Sequence, residues 1–301
     1  MENKRLTQEE KREIALQLQE YVKRYKSQNK AAASLKGVSA ATLSVILTGL
    51  TTGDWPLVND KMWKNVAAQT SRQKSDAQWQ LVETQGWKDM TFVMGDAQEW
   101  QNVTWVVGAA GCGKTTAARA YSEEHAGVYY VLCSEDMHKN DFIREVARTI
   151  GVRAEGRTLR EMLGMIVDEL VQTERPLLLF DEADKLTERV FHYFIDLYNR
   201  LEDKCGIVFF STSYIERRMA TGLRYNKCGY NELHSRIGRK FFRLDETSVT
   251  DVRAICAANG LTEKSDVSEV VKDAERYDFD LRRVKKAIHR VKRMQEEGES
   301  R

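Results

Sequence analysis

The chain has 301 residues, 42% of them hydrophobic and 31% charged, enough for two or three domains with buried cores. No run approaches the roughly 18 apolar residues of a membrane span, the charged start MENKRLTQEEKRE has no apolar signal core, and five cysteines without a CxxC pair argue against a disulfide framework or structural zinc, so the expected compartment is the cytoplasm. Net charge is only +2, but Lys+Arg outnumber Asp+Glu by 13 to 7 in residues 1–74, 8 to 2 in 214–243 and 8 to 3 in 282–301, local patches of the kind that meet nucleic acid.

Residues 1–70 read as wholly helical. Over 6–25 the apolar residues Ile14, Leu16, Leu18, Tyr21, Val22 and Tyr25 recur near the helical period. Residues 27–49 then have a helix–turn–helix layout. Ala32 permits close helix packing, Gly37 can make a left-handed turn and Ser39 can cap the next helix. Leu43, Ile46 and Leu47 would face inward, and Gly49 is expected to end that helix. On these residues the segment resembles the helix–turn–helix domains of phage repressors, which implies DNA binding; an αα-hairpin with no DNA role has the same local pattern. The second helix offers Ser39, Ala40, Ala41, Thr42 and Ser44, not the Arg, Lys, Asn or Gln that read base edges. Gln28, Asn29, Lys30 and Lys36 can hold phosphates. Gln28, Lys30, Lys36, Ser39 and Thr42 are therefore the expected contacts, with affinity for duplex DNA, weak sequence preference and a steep salt dependence. The polar stretch TSRQKSDAQW opens the expected linker, 71–90.

From Thr91 short apolar runs alternate with amphipathic stretches. Strands are expected at 103–107, 128–132, 176–180 and 206–210, and helices at 115–125, 139–151, 158–172 and 187–202, a pattern of βαβ units around a parallel sheet. The first strand runs into Gly108, Ala109, Ala110, Gly111, Cys112, Gly113, Lys114 and Thr115, a full G-x-x-x-x-G-K-[ST] match followed by Thr116 and a helical stretch. Strand, loop and helix in that order make a phosphate-binding loop. Glycines turn the backbone so that its N–H groups point inward, the helix N-terminus adds positive potential, Lys114 reaches the β- and γ-phosphates of ATP, and Thr115 ligates Mg²⁺. The third strand ends in Asp181 and Glu182. In an open α/β sheet such strand ends face the ligand, which gives Asp181 to the Mg²⁺ shell and Glu182 to polarising the attacking water. Beyond residue 245 the chain reads as helical again, at 248–259, 266–276 and 280–295, a small lid.

The phosphate loop, the run LLLFDE, a strand ending FFSTS, an arginine-rich segment and a helical tail together resemble the AAA+ ATPases over about residues 90–295. The resemblance implies an α/β P-loop AAA+ fold over 91–245, a helical lid over 246–301 and the helix–turn–helix domain in front. It implies a sensor of the γ-phosphate after the fourth strand, Thr212, with Ser211 and Ser213 close by. It also implies an arginine finger supplied to the neighbouring subunit, Arg236 within ELHSRIGR with Arg239 as fallback, and a second sensor opening a lid helix, Arg282 ahead of Arg283.

A repressor-like domain ahead of a compact AAA+ ATPase with a short helical tail resembles the B-type transposition ATPases of phage Mu, to which the C-type regulators of transposon Tn7 are related. That resemblance implies an ATP-driven homo-oligomer, a helical filament or ring, on double-stranded DNA that presents target DNA to a transposase of the DDE type. It also implies inner-side DNA contacts at Lys139, Arg157 and Thr158, no membrane role, and hydrolysis that dismantles the filament. Two other readings use the same ATPase chemistry: an AAA+ replication initiator or helicase loader, and a nucleotide-gated transcription regulator. The basic stretch 282–293, with Val284, Ala287, Ile288 and Val291 on one side, suits either a DNA or transposase contact or packing of its apolar stripe on the lid.

Overall fold

The computed structural model describes residues 6–299 apart from 24, 26, 54, 56–57, 71–78 and 154, and apart from the side chains of 68, 192 and 296–299. The chain divides into two compact units, 1–79 and 80–301. Of the expected linker, 71–90, residues 71–78 lie outside the described residues, and 85–90 are not linker but the first turns of a helix.

The first unit holds α1 (Gln8–Lys23), α2 (Gln28–Ser34), α3 (Ala40–Thr52) and α4 (Asp60–Thr70). Leu18, Leu43, Ile46, Trp63 and Val66 form its dry centre, all at 0% exposure. The turn between α2 and α3 has Gly37 at φ 74°, and the hydroxyls of Ser27 and Ser39 accept the backbone N–H of Lys30 and Thr42 as helix caps. Gly49 does not end α3 as expected. The helix runs on to Thr52, and Gly53 at φ 76° terminates it by donating its N–H to the Gly49 carbonyl. Gly49 is small for a packing reason: a Cβ there would stand 1.9 Å from Trp55 Nε1, and that indole is fixed, since Nε1–H donates to the Ile46 carbonyl at 2.8 Å. Gly49→Ala is expected to lower stability by about 1–3 kcal/mol through overpacking, despite a helix-propensity gain of roughly 1 kcal/mol. Thermal unfolding of the full chain followed by tryptophan fluorescence checks this; an unchanged or raised midpoint would show that the indole yields.

The second unit opens with α5 (Gln85–Trp100), which the sequence pattern did not reveal, and continues β1 (Val103–Val107), α6 (Lys114–Glu124), β2 (Val128–Leu132), α7 (Lys139–Ile150), α8 (Leu159–Gln172), β3 (Leu177–Asp181), α9 (Glu188–Leu201) and β4 (Gly206–Ser211). The third strand starts one residue later than expected, because Pro176 has no N–H to give the ladder. Between β4 and the lid lie three more unforeseen elements, α10 (Tyr214–Arg224), α11 (Tyr230–Arg236) and β5 (Phe242–Arg243). The sheet order is β2-β3-β4-β1-β5, with every pairing parallel.

Side chains alternate across this sheet. Trp105, Val107, Leu178, Phe180, Ile207 and Phe209 point into a large core shared with α7 to α11. Val106, Leu177, Leu179, Val208 and Phe210 point into a second core under α5 and α6. Both faces are covered, which explains why the central strands are apolar without interruption. Gly206 sits where α5 crosses β4: a Cβ there would lie 2.1 Å from the Ala97 carbonyl oxygen. The lid is α12 (Val249–Ala258), α13 (Lys264–Glu275) and α14 (Leu281–Glu299). Val284, Ala287, Ile288 and Val291 of α14 are all buried, so the apolar stripe does pack.

Candidate functional site

All five strands run the same way, so β1, β3 and β4 deliver their C-terminal residues to one edge. The register aligns Val107 with Ser211 and Phe180 with Phe209, which leaves the phosphate-binding loop, Asp181 and Thr212 side by side there. β4 separates β1 from β3 at about 4.8 Å per step, so Thr212, which follows β4, lies in sheet order between the loop and the acidic pair.

The loop turns on Gly111 and Gly113, at φ 77° and 99°, and Gly113 is the N-cap of α6 with no side chain to occupy the helix N-terminus. The freed N–H groups and the helix dipole face the site. The Lys114 ammonium folds back over the loop, donating to the Gly108 and Ala109 carbonyls at 2.8 Å each. Thr115 is half-buried and Thr116 exposed. The lid approaches the same loop. Leu281 N–H donates to the Gly111 carbonyl at 3.1 Å, and the Asp280 carboxylate occupies the space beside Gly111 where a Cβ would be 2.2 Å from its Oδ1. Asp278 and Phe279, at φ 50° and 54°, put two consecutive left-handed residues just before this contact, a conformation that costs of order 1–3 kcal/mol per residue. Arg282, which follows, is exposed; Arg283 is held by Asp273 at 2.7 Å and stacks over Tyr277. This pairing holds the Asp273 carboxyl below the usual range.

Asp181 is 1% exposed. Its Oδ1 accepts the Glu182 N–H and its Oδ2 the Tyr130 hydroxyl, both at 2.9 Å. Burial first, and the Asp181 charge second, push the Tyr130 phenol up, which keeps it a donor. Glu182 adopts φ 55°, a strained value for a residue with a Cβ, and its carboxylate is paired with Lys185 at 2.5 Å, which raises the Lys185 ammonium. The Thr212 hydroxyl donates to Asp184 Oδ2 at 2.6 Å. Ser211 is buried and accepts the Trp105 indole N–H at 2.8 Å, a packing role; Ser213 is exposed.

Arg236 lies away from the loop, at the end of α11. Its guanidinium donates to Asn199 Oδ1 at 2.6 Å and stands 5.2 Å from the Tyr198 ring centroid. It lines an open polar cleft of about 530 Å³ with Glu202, Glu232, Ser235 and Arg239. Among the expected DNA contacts, Gln28, Lys30, Lys36, Lys139 and Arg157 are exposed. Ser39 and Thr158 are helix caps, Thr158 in a reciprocal pair with Glu161 that occupies its hydroxyl. Lys139 stands 5.7 Å from the Tyr193 ring centroid. Tyr130, Asp184, Lys185 and Asp280 also belong to the site, though no motif marks them. Only the pairing of distant strands brings Tyr130 to Asp181, whereas Asp184 and Lys185 follow the acidic pair so closely that a longer motif window would have raised them.

The Asp181 carboxylate is buried and held by two neutral donors, and the start of α6 offers backbone N–H groups with no capping side chain on them. This donor set fits a nucleotide triphosphate with a divalent metal. A family model described as an AAA domain matches residues 98–219. The chain is 24% identical over 238 residues to the Mu-like prophage FluMu DNA transposition protein B of Haemophilus influenzae, covering 78% of this chain and 81% of that protein. Among solved structures it is similar to the Aeropyrum pernix ORC1 protein in complex with DNA, with 17% identity, TM-score 0.48, and 66% of this chain on 56% of that one. It is similar also to the replication initiator DnaA bound to AMPPCP and single-stranded DNA, with 17% identity, TM-score 0.47, and 70% of this chain on 62% of that one. The chain thus spans less than two thirds of each of those structures. No helix among the described residues is long and apolar enough to cross a membrane.

Proposed function

We propose that this chain, a Mu B-type AAA+ ATPase by its family model and its transposition-protein relative, binds ATP between protomers, assembles on double-stranded DNA with little sequence preference, and delivers that DNA to a transposase of the DDE type. The observation that carries the reading is the convergence of Lys114, Asp181, Glu182 and Thr212 on one sheet edge, with Arg236 left outside it on α11. Lys114 and the loop N–H groups bind the triphosphate. Thr115 and Asp181 would hold Mg²⁺, which would supply positive charge against the triphosphate. Glu182, once released from Lys185, orients the attacking water and takes its proton. Thr212 reads the γ-phosphate by exchanging its bond to Asp184. Arg236 of one protomer completes the site of the next, a head-to-tail contact that gives a ring or an open helix depending on the rotation per subunit. Arg282, at the lid edge of the loop, senses the bound nucleotide. Gln28, Lys30, Lys36, Ser39 and Thr42 of the first unit, with Lys139, Arg157 and Thr158 of the second, are the proposed DNA contacts. The proposed compartment is the cytoplasm.

Glu182→Gln tests this reading. The variant is expected to bind ATP normally, to hydrolyse it about 10²–10⁴-fold more slowly, and to leave long-lived assemblies on duplex DNA in electron micrographs with ATP. Wild-type turnover would remove Glu182 as the base. Monomers under saturating ATP and DNA would sink the filament reading, and a footprint confined to one sequence would favour a transcription regulator.

A further inference from the structure

We infer that Tyr130 is a positioning residue for the ATPase step: its hydroxyl orients the Asp181 carboxylate toward the divalent cation, and Arg119 on the phosphate-loop helix holds the phenol there. The inference rests on the Mg²⁺–ATP reading above and goes beyond its motifs, none of which includes β2.

The register of β2 on β3 sets Tyr130 opposite Leu179 and Leu132 opposite Asp181. Tyr130 and Asp181 therefore lie on one face as diagonal neighbours, within reach of a long side chain. The bond that forms is direct, from the Tyr130 hydroxyl to Asp181 Oδ2 at 2.9 Å, across 51 residues of sequence. With Glu182 N–H on Oδ1 at 2.9 Å, each carboxylate oxygen has one donor, which fixes the plane of the group and leaves further lone-pair directions open. Neighbouring Tyr129, on the other face, has its hydroxyl only 3.4 Å from Thr173 Oγ1. The two adjacent tyrosines thus differ: the short bond goes to the one buried carboxylate at the site.

The phenol is itself held. Arg119 places its guanidinium carbon 5.2 Å from the Tyr130 ring centroid, a cation–π distance. Arg119 sits on α6, the helix that begins at Lys114. A line of contacts therefore runs from the helix that binds phosphate, through Tyr130, to the carboxylate proposed to bind the metal. Donors behind a metal-binding carboxylate set its orientation, and their loss typically costs 10–100-fold in metal affinity.

The test uses the full-length protein and separates cation binding from nucleotide binding. Affinity for a fluorescent ATP analogue is measured without a divalent cation, and Mn²⁺ is then titrated into the nucleotide-saturated protein and followed by electron paramagnetic resonance. Tyr130→Phe keeps the ring and is expected to leave metal-free nucleotide affinity unchanged, to weaken Mn²⁺ binding about tenfold or more, and to lose turnover that excess Mg²⁺ restores in part. Arg119→Gln is expected to shift Mn²⁺ affinity in the same direction by less. Wild-type Mn²⁺ affinity in Tyr130→Phe overturns the inference, as does an equal loss of nucleotide affinity with and without the cation, the mark of a merely structural role. Asp181→Asn separates the two levels: if it binds Mn²⁺ as the wild type does, the metal reading itself fails and the inference falls with it.

Discussion

Lys114→Ala is expected to lose ATP binding and DNA-dependent assembly together. The Lys114 ammonium is the one side-chain cation in the loop sequence, and among the described residues its bonds go to loop atoms, the Gly108 and Ala109 carbonyls and, more distantly, the Cys112 sulfur. Removing it leaves the N–H groups and the helix terminus facing the triphosphate without a countercharge. A truncated partner of a close charge pair costs about 2–5 kcal/mol, roughly 30- to several-thousand-fold in affinity. The fold should survive, because the side chain supports no other element. Calorimetric ATP titration, thermal unfolding and sedimentation with duplex DNA check the three parts. Undiminished assemblies on DNA with ATP would detach nucleotide from the interface and overturn the proposal.

Arg236→Ala is expected to bind ATP as a protomer but to hydrolyse it on the order of 10³-fold more slowly or worse, since a finger arginine supplied in trans is worth 10³–10⁵ in rate. In the protomer Arg236 is parked on Asn199 and over Tyr198, with a side chain only 18% exposed. Completing a neighbour's site therefore requires either leaving that seat or docking the neighbour against the adjoining cleft. Complementation separates a trans role from local damage. Lys114→Ala protomers keep Arg236 but bind no ATP, and Arg236→Ala protomers bind ATP but offer no finger. Mixed interfaces of the two should regain activity, peaking near equal proportions. No rescue at any ratio would remove Arg236 from the reaction and turn attention to Arg239, exposed at φ 57° on the same cleft.

The two experiments draw on residues of different legibility. Lys114 was readable because a phosphate-binding loop is local: eight consecutive residues, a strand before and a helix after contain the geometry. Asp181 and Glu182 were readable for a similar reason, since a buried parallel strand must be apolar on both faces and its acids stand out at the end. The repressor-like turn showed Gly37 and Ser39 in the roles their chemistry allows, but Gly49 misled. Its smallness answers Trp55, a tertiary neighbour, and not the end of α3. Helices α10 and α11 went unread in the arginine-rich segment. Their buried anchors, Ile215, Met219, Tyr230 and Leu233, are sparse among charges and make sense only against the core beneath them.

By itself, then, the sequence determined the elements whose signals are short in range: the loop that cradles phosphate, the apolar strands, the acids at a strand end, the helix caps and the amphipathic lid. Only the tertiary structure decided what crosses the sheet. It set the strand order that puts Thr212 between the loop and Asp181, the register that sends the Tyr130 hydroxyl to Asp181, the bond of Thr212 to Asp184, and the docking of Asp280 and Leu281 on Gly111. The reason is one of range. A periodicity or motif records what a residue needs from neighbours within a few positions, whereas register and docking arise from the packing of whole faces, and residues 28 or 51 apart carry no local mark of their meeting.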